Sequence, residues 1–192
     1  MLTILARRPD RHNSRIPANS ERPVATLPKA PPTLARLYAR PGFLLRRAHQ
    51  ISAAVFEEAC RDLGLTPAQF GVLTVLRSHP GLGQSTLARA LGFDKVTVLR
   101  VLRGLEGRGL VARAPVAGNR RAMCVTLTRQ GEQVLDEAQG PAEQAYRRLM
   151  GPLDRKQQQQ LLQLLQLLTG GLEDAARASF VPPPSGASRR LA

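Results

Sequence analysis

Gln84-Ser85-Thr86-Leu87-Ala88-Arg89-Ala90-Leu91-Gly92-Phe93-Asp94-Lys95-Val96-Thr97-Val98-Leu99-Arg100-Val101-Leu102 reads as two helices joined by a tight corner. The first ends at Gly92, a residue suited to the left-handed backbone in which helices stop. Asp94 is an N-cap for the second, which runs to about Arg108 with Gly109 as its stop. Helix, short glycine-containing turn, helix is the helix-turn-helix arrangement. In the second helix Val98, Leu102 and Leu105 fall on one face with Val101 beside them, while Lys95, Thr97, Arg100 and Arg103 fall elsewhere. The apolar stripe anchors the helix to its neighbour, and the N-terminal half offers charge and hydrogen bonds outward. A DNA major groove admits one such helix, and an arginine there can pair with guanine through two hydrogen bonds. An ordinary surface helix with arginines for solubility carries the same pattern, so the flanking sequence has to separate the two.

Downstream, the period changes from 3.6 to 2. Leu110 to Ala114 and Ala122 to Leu127 are strand-like runs joined across Pro115 to Arg121, a two-stranded wing with Arg120 and Arg121 near its tip. Charged hairpin tips are common, but adjacent arginines beyond a Gly118-Asn119 turn suit insertion into a narrow, electronegative minor groove. Thr128 caps a further helix to about Gly151, and Asp154 opens the last. In that last helix Leu161, Leu162, Leu164, Leu165, Leu167 and Leu168 sit among glutamines, then Gly170-Gly171 interrupts. Leucine around so much of a helix circumference needs partners on more than one side. Upstream, Thr66-Pro67 is an N-cap followed by proline at the first helical position, opening a helix that stops before Pro80-Gly81. Before it, apolar residues from Phe43 to Leu63 recur at three- and four-residue steps, from Pro41-Gly42 to Gly64.

These boundaries give a disordered basic arm over residues 1–33, an arm helix within 34–65, a DNA-binding lobe over 66–127, two helices over 128–178 and a disordered tail over 179–192. The first segment either adds non-specific attraction to DNA or is a solvated leader. The expected class is mainly α with a small β-wing, a winged helix-turn-helix with six helices.

The formal net charge of +14 calls for a polyanionic partner, and its distribution says where. Residues 66–127 carry nine Lys/Arg against Asp94 and Glu106, a net +7, whereas residues 41–65 are neutral and 128–178 carry a net −1. A basic middle between neutral arms is expected if the middle meets phosphate and the arms meet protein. Aromatics are only 4% of the chain and Trp is absent, so the core is aliphatic and helical. Cys60 and Cys124 lack the spacing of a zinc site and are too few for a disulfide framework. Cys60 reads as a small core hydrophobe or as a redox sensor. No window reaches a membrane span and the start has no signal-peptide core, so the expected location is the cytoplasm. His12, His49 and His79 have no nucleophile at a motif spacing, and no phosphate loop or metal cluster is present in the sequence. No catalytic activity, cofactor or metal is expected.

The stretch Leu87-Ala88-(x2)-Leu91-Gly92-x-Asp94-(x2)-Thr97-Val98-x-Arg100-x-Leu102-(x2)-Leu105-Glu106-x-Arg108-Gly109-Leu110-Val111 resembles the recognition segment of MarR-family transcription regulators. So does the run Asn119-Arg120-Arg121-(x3)-Val125-x-Leu127-Thr128-(x2)-Gly131. The resemblance covers about Pro41 to Leu168. It implies an obligate homodimer with intertwined first, fifth and sixth helices, and two recognition helices in successive major grooves of a pseudo-palindromic operator in double-stranded DNA. The family's DNA-contacting positions fall on Lys95, Val96, Thr97 and Arg100 and on Arg120 of the wing, with Gln84, Ser85 and Thr86 approaching the backbone. Arg103 and Arg121 complete the expected DNA-binding set. The family usually has Asp before the wing arginines. This chain has Asn119, which can accept a hydrogen bond but cannot fix Arg120 with a salt bridge.

The resemblance also implies a small-molecule effector, often a phenolic or aromatic acid, bound between the dimer arms and the DNA-binding lobe. Arg40, Arg46 and His49 supply cations at the start of the first helix, with Phe43 and Phe70 as walls for an aromatic carboxylate. The run Arg40-Pro41-Gly42-Phe43-Leu44-Leu45-Arg46-Arg47-Ala48-His49-Gln50 is similar to regulators of aromatic-acid catabolism, including nicotinate breakdown, and points to a nicotinate derivative. The expected function is a transcriptional repressor released by such a ligand. The alternatives are a redox-sensing regulator acting through Cys60 and an architectural protein that binds any duplex.

Overall fold

Side-chain caps set four of the five α-helix starts beyond residue 65, the helix that opens at Gln84 behind Gly83 being the exception. The Thr66 hydroxyl accepts from the Gln69 N–H, and the Gln69 side chain accepts from the Thr66 N–H, with Pro67 in the first turn. Asp94 accepts from the Thr97 N–H at 2.6 Å, Thr128 from the Gly131 N–H at 3.0 Å, and Asp154 from the Gln157 N–H at 2.9 Å. Each cap satisfies a backbone donor that the first turn of a helix leaves unpaired.

The structure is a computed structural model that describes residues 32–116 and 119–183, the side chains of residues 32, 116 and 119–122 excepted. Its helices are α1 (Pro32–Tyr38), α2 (Pro41–Ala59), α3 (Pro67–Ser78), α4 (Gln84–Ala90), α5 (Lys95–Gly107), α6 (Arg129–Met150) and α7 (Arg155–Gly171). Its strands are β1 (Leu82–Gly83), β2 (Val111–Val116) and β3 (Asn119–Leu127), in the order β1-β3-β2 and antiparallel throughout. The winged helix-turn-helix is therefore present, with three departures from expectation.

There are seven α-helices among the described residues rather than six, because a short helix, α1, precedes the arm helix and includes Pro32 and Thr33. The sheet has three strands: Leu82 and Gly83, ahead of α4, pair with Val125 and Cys124. The region from 179 is not wholly free of structure. The Phe180 N–H donates to Glu173 Oε1 at 2.5 Å and the Val181 N–H to the Arg89 carbonyl at 3.0 Å. The rest of the expected N-terminal arm and of the tail lies outside the described residues.

The described residues divide into two compact units, one up to Leu44 and the other from Leu45. In the first, the Tyr38 and Phe43 rings pack with centroids 5.1 Å apart. In the second, Leu73, Leu76, Leu87, Leu102, Leu105, Leu110 and Leu135 are fully buried with Val72, Val98 and Val125, and no buried polar residue accompanies them among the described residues. This aliphatic core draws on α3, α4, α5, the sheet and the first half of α6.

Polar stitches hold α6 against the lobe and the arm. Arg77 of α3 donates to Asp136 at 2.6 Å and to the Glu132 carbonyl at 3.0 Å, and Arg148 reaches Glu58 of α2 at 2.7 Å. The start of α6 meets the chain just before β2: the Thr128 hydroxyl donates to the Gly109 carbonyl and the Thr128 N–H to that of Leu110. Helix α7 continues through Gly170 to Gly171 and leaves Leu161, Leu162, Leu164, Leu167 and Leu168 between 37% and 73% exposed, a leucine face not covered by the described residues.

Candidate DNA interface and effector cavity

Helix α5 divides into two faces as its sequence predicts. Val98, Val101, Leu102 and Leu105 are buried, while Lys95, Arg100 and Arg103 are exposed, Thr97 is half-buried and Val96 is 74% exposed. An apolar side chain left so open at the start of a basic helix suits contact with a thymine methyl group in a groove. On α4, Leu87, Ala88 and Ala90 enter the core, Ser85 is exposed, and Gln84 and Thr86 are half-buried. The corner between the helices turns through Gly92 at φ +63°, where a side chain would be strained, and the Phe93 N–H closes it on the Ala88 carbonyl at 2.9 Å.

Electrostatics keep the outer face cationic. Hydrogen bonds from the Thr97 backbone and then its side chain hold the Asp94 carboxyl below the usual carboxylate range, so the cap is ionised at neutral pH. Glu106, the single acid within α5, is held by Arg113 of β2 through Nε and Nη2. That ion pair fixes the wing to the recognition helix and removes the acid from competition for its arginines. Arg108, just past the helix end, donates to the Leu63 and Gly64 carbonyls at 2.7 and 2.8 Å, tying α5 to the 3-10 turn that follows α2. The backbones of Asn119, Arg120 and Arg121 open β3, while their side chains and the 117–118 turn lie outside the described residues.

A cavity of about 270 Å³ opens where α2, α3 and α6 meet. Phe56, Phe70, Tyr146 and Leu149 wall it, Ser52 adds a hydroxyl, and the Phe56 and Phe70 rings lie 5.4 Å apart, tilted by 54°. Of the expected effector residues Phe70 lines it. Arg46 and His49 are exposed and do not, and Arg46 and Arg47 both bond the Gln50 side chain, at 3.3 and 3.2 Å. Arg40 and Phe43 belong to the first unit. The sequence reading missed Tyr146 and Phe56 as walls. The one signal for Tyr146 is an aromatic residue in an otherwise charged turn of α6.

Cys60 is 1% exposed, and burial pushes its thiol pKa up. Since the thiolate is the oxidisable form, this environment is the reverse of what activates a redox-sensing cysteine. Among the described residues no cluster of His, Cys, Asp and Glu could hold a metal ion, and no helix is long and apolar enough to cross a membrane.

Comparison with known proteins agrees with this geometry. The sequence model of the MarR family matches residues 63–122. The HTH-type transcriptional repressor NicR of Pseudomonas putida is 34% identical over 134 residues, covering 70% of this chain and 85% of NicR. Bordetella bronchiseptica BpsR, whose DNA binding is regulated by 6-hydroxynicotinic acid, superposes with a TM-score of 0.65 at 32% identity, over 69% of this chain and 94% of BpsR. The transcriptional repressor CouR, bound to a 23-mer DNA duplex, superposes with a TM-score of 0.66 at 31% identity, over 73% of this chain and 99% of CouR.

Proposed function

Because the chain belongs to the MarR family of transcription regulators, we propose that it is a cytoplasmic, homodimeric repressor whose hold on a pseudo-palindromic operator is released by a small aromatic carboxylate. The observation that carries this reading is the outward face of α5. Lys95, Val96 and Arg100 stand exposed on a helix whose opposite face is locked into the core. We assign base contacts to Lys95, Val96, Thr97, Arg100 and Arg103, backbone contacts to Gln84, Ser85 and Thr86, and minor-groove contacts to Arg120 and Arg121. The leucine face of α7 supplies the apolar surface for pairing with a second copy.

The Phe56–Phe70–Tyr146 cavity suits a single ring, and the regulation of BpsR by 6-hydroxynicotinic acid favours a nicotinate derivative. Arg40, Phe43, Arg46 and His49 remain proposed effector residues on their chemistry alone, as cations and a ring that suit an aromatic carboxylate. The cavity adjoins the helices that join lobe and arm, so a ligand there favours one setting of the lobe over another. A spacing of the two recognition helices that no longer fits successive grooves would release the DNA.

The test is a fluorescence-anisotropy titration of the duplex upstream of the protein's own gene against a scrambled duplex, with and without 6-hydroxynicotinate and related carboxylates. Preference for the native duplex that a carboxylate abolishes is the expected result. Equal binding to both, insensitive to every ligand, would establish an architectural protein instead. In the same assay Arg100→Ala should lose about 1–3 kcal/mol of specific binding. An unchanged ratio of native to scrambled affinity would remove Arg100 from the base-reading set.

A further inference from the structure

The C-terminal segment beyond α7 crosses the chain to the helix-turn-helix corner. One backbone hydrogen bond anchors it there, from the Val181 N–H to the Arg89 carbonyl at the end of α4 at 3.0 Å, while the Ala176 and Phe180 N–H groups bond Glu173 within the segment, at 3.0 and 2.5 Å. Phe180 covers the corner so closely that a Cβ at Gly92 would lie 3.9 Å from its own Cβ. Between this strap and the corner is an open groove of about 440 Å³.

The groove's chemistry is that of an anion site shared by two stretches of chain. Arg177 and Ser179 line it from the strap, and Ser85, Arg89 and Lys95 from α4 and α5. None of the cations Arg89, Lys95 and Arg177 has an ion-pair or hydrogen-bond partner for its side chain among the described residues. Asp94 also lines the groove; ionised and bound to the Thr97 N–H at the start of α5, it offsets one of the three cations and leaves the groove a net +2. That surplus of positive charge attracts an anion. Ser85 and Lys95 place it on the side of the lobe to which DNA binding is assigned.

We propose that Arg177 and Ser179 extend the DNA-binding surface, seating a backbone phosphate of the duplex between the strap and the helix-turn-helix corner. This rests on the DNA-binding function already proposed and adds to it a contact that carries no sequence information. A phosphodiester and free inorganic phosphate share the chemistry that the groove offers, so the test separates them.

The experiment measures affinity for native and scrambled duplexes across a salt series, in the wild-type protein and in Arg177→Gln, with Arg155→Gln at the start of α7 as a charge-matched control. Removing one cation from a phosphate should flatten the slope of log affinity against log salt by about 0.9, hence about 1.8 for a dimer. Arg177→Gln is expected to show that flattening and to weaken both duplexes by the same factor, while Arg155→Gln leaves the slope near wild type. Val181→Pro, which removes the N–H that holds the strap to Arg89, should flatten the slope in the same direction. An Arg177→Gln slope equal to that of wild type or of Arg155→Gln overturns the proposal. So does competition by inorganic phosphate at constant ionic strength with no change of slope in Arg177→Gln, which would mark a free-anion site. Wild-type protein that binds no duplex at all would overturn the DNA-binding reading itself rather than the strap alone.

Discussion

Gly131→Ala should destabilise the protein by about 3 kcal/mol or more, well beyond what one methyl group ordinarily does. A Cβ at this position would overlap the carbonyl oxygen of Leu110 and lie 2.9 Å from its carbon. Both partners are backbone, so no side-chain rotation relieves the overlap. Nor can the helix back away, because Thr128 binds the Gly109 and Leu110 carbonyls and caps α6 through the Gly131 N–H. Moving α6 outward would break that cap and pull Leu135 and Ala138 from the core. Gly140→Ala in the same helix is the control. A Cβ there meets nothing within 4 Å, so relief of glycine's backbone entropy should stabilise by about 0.5–1 kcal/mol. Thermal melts of both variants check the pair. A Gly131→Ala midpoint close to wild type would mean that the junction yields freely.

Leu102→Ala should be comparably damaging by the opposite route, a void instead of an overlap. Leu102 is 0% exposed and sits centrally among the residues that seat α5 on the core. Truncating a fully buried leucine costs about 2–5 kcal/mol, with the spread set by how far the surroundings collapse. A buried cluster without polar residues has no alternative hydrogen bonds to form as it relaxes, so the cost should show as a lower urea midpoint with unchanged slope. Val96→Ala, six residues earlier and 74% exposed, should stay within about 0.5 kcal/mol of wild type while still affecting DNA binding. Equal unfolding midpoints for the two variants would contradict the division of α5 into a core face and a DNA face.

The parts of this fold legible in the sequence are those fixed by neighbours within four residues. Thr66, Asp94, Thr128 and Asp154 each cap the helix expected of them, because a cap is a hydrogen bond to a backbone N–H three residues on. The two faces of α5 follow from helical periodicity alone. What escapes such a reading depends on distant chain. Strand β1 is two residues long and exists only because Val125 and Cys124 pair with it. The cavity proposed for the effector takes its walls from α2, α3 and α6, so Phe70 can be chosen on residue type, but Tyr146 needs the crossing of α6 over α3. Arg46 and His49 have suitable chemistry and lie away from the cavity lining. The strap reads as tail because Pro182 and Pro183 exclude a helix, and composition carries no trace of a backbone bond to Arg89.

The leucines left open along α7 have a consequence for how protein quantity governs behaviour. A chain that finishes burying its apolar surface only against a second copy folds and pairs in one linked equilibrium, so its apparent stability rises with protomer concentration. Unfolding midpoints should therefore fall on dilution. A variant such as Leu102→Ala that survives at the micromolar level of a melt would be unfolded to a greater extent at the scarce copy number of a regulator in a cell. Operator occupancy would then follow expression level more steeply than in proportion, giving the promoter a threshold that comes from the hydrophobic edge of one helix.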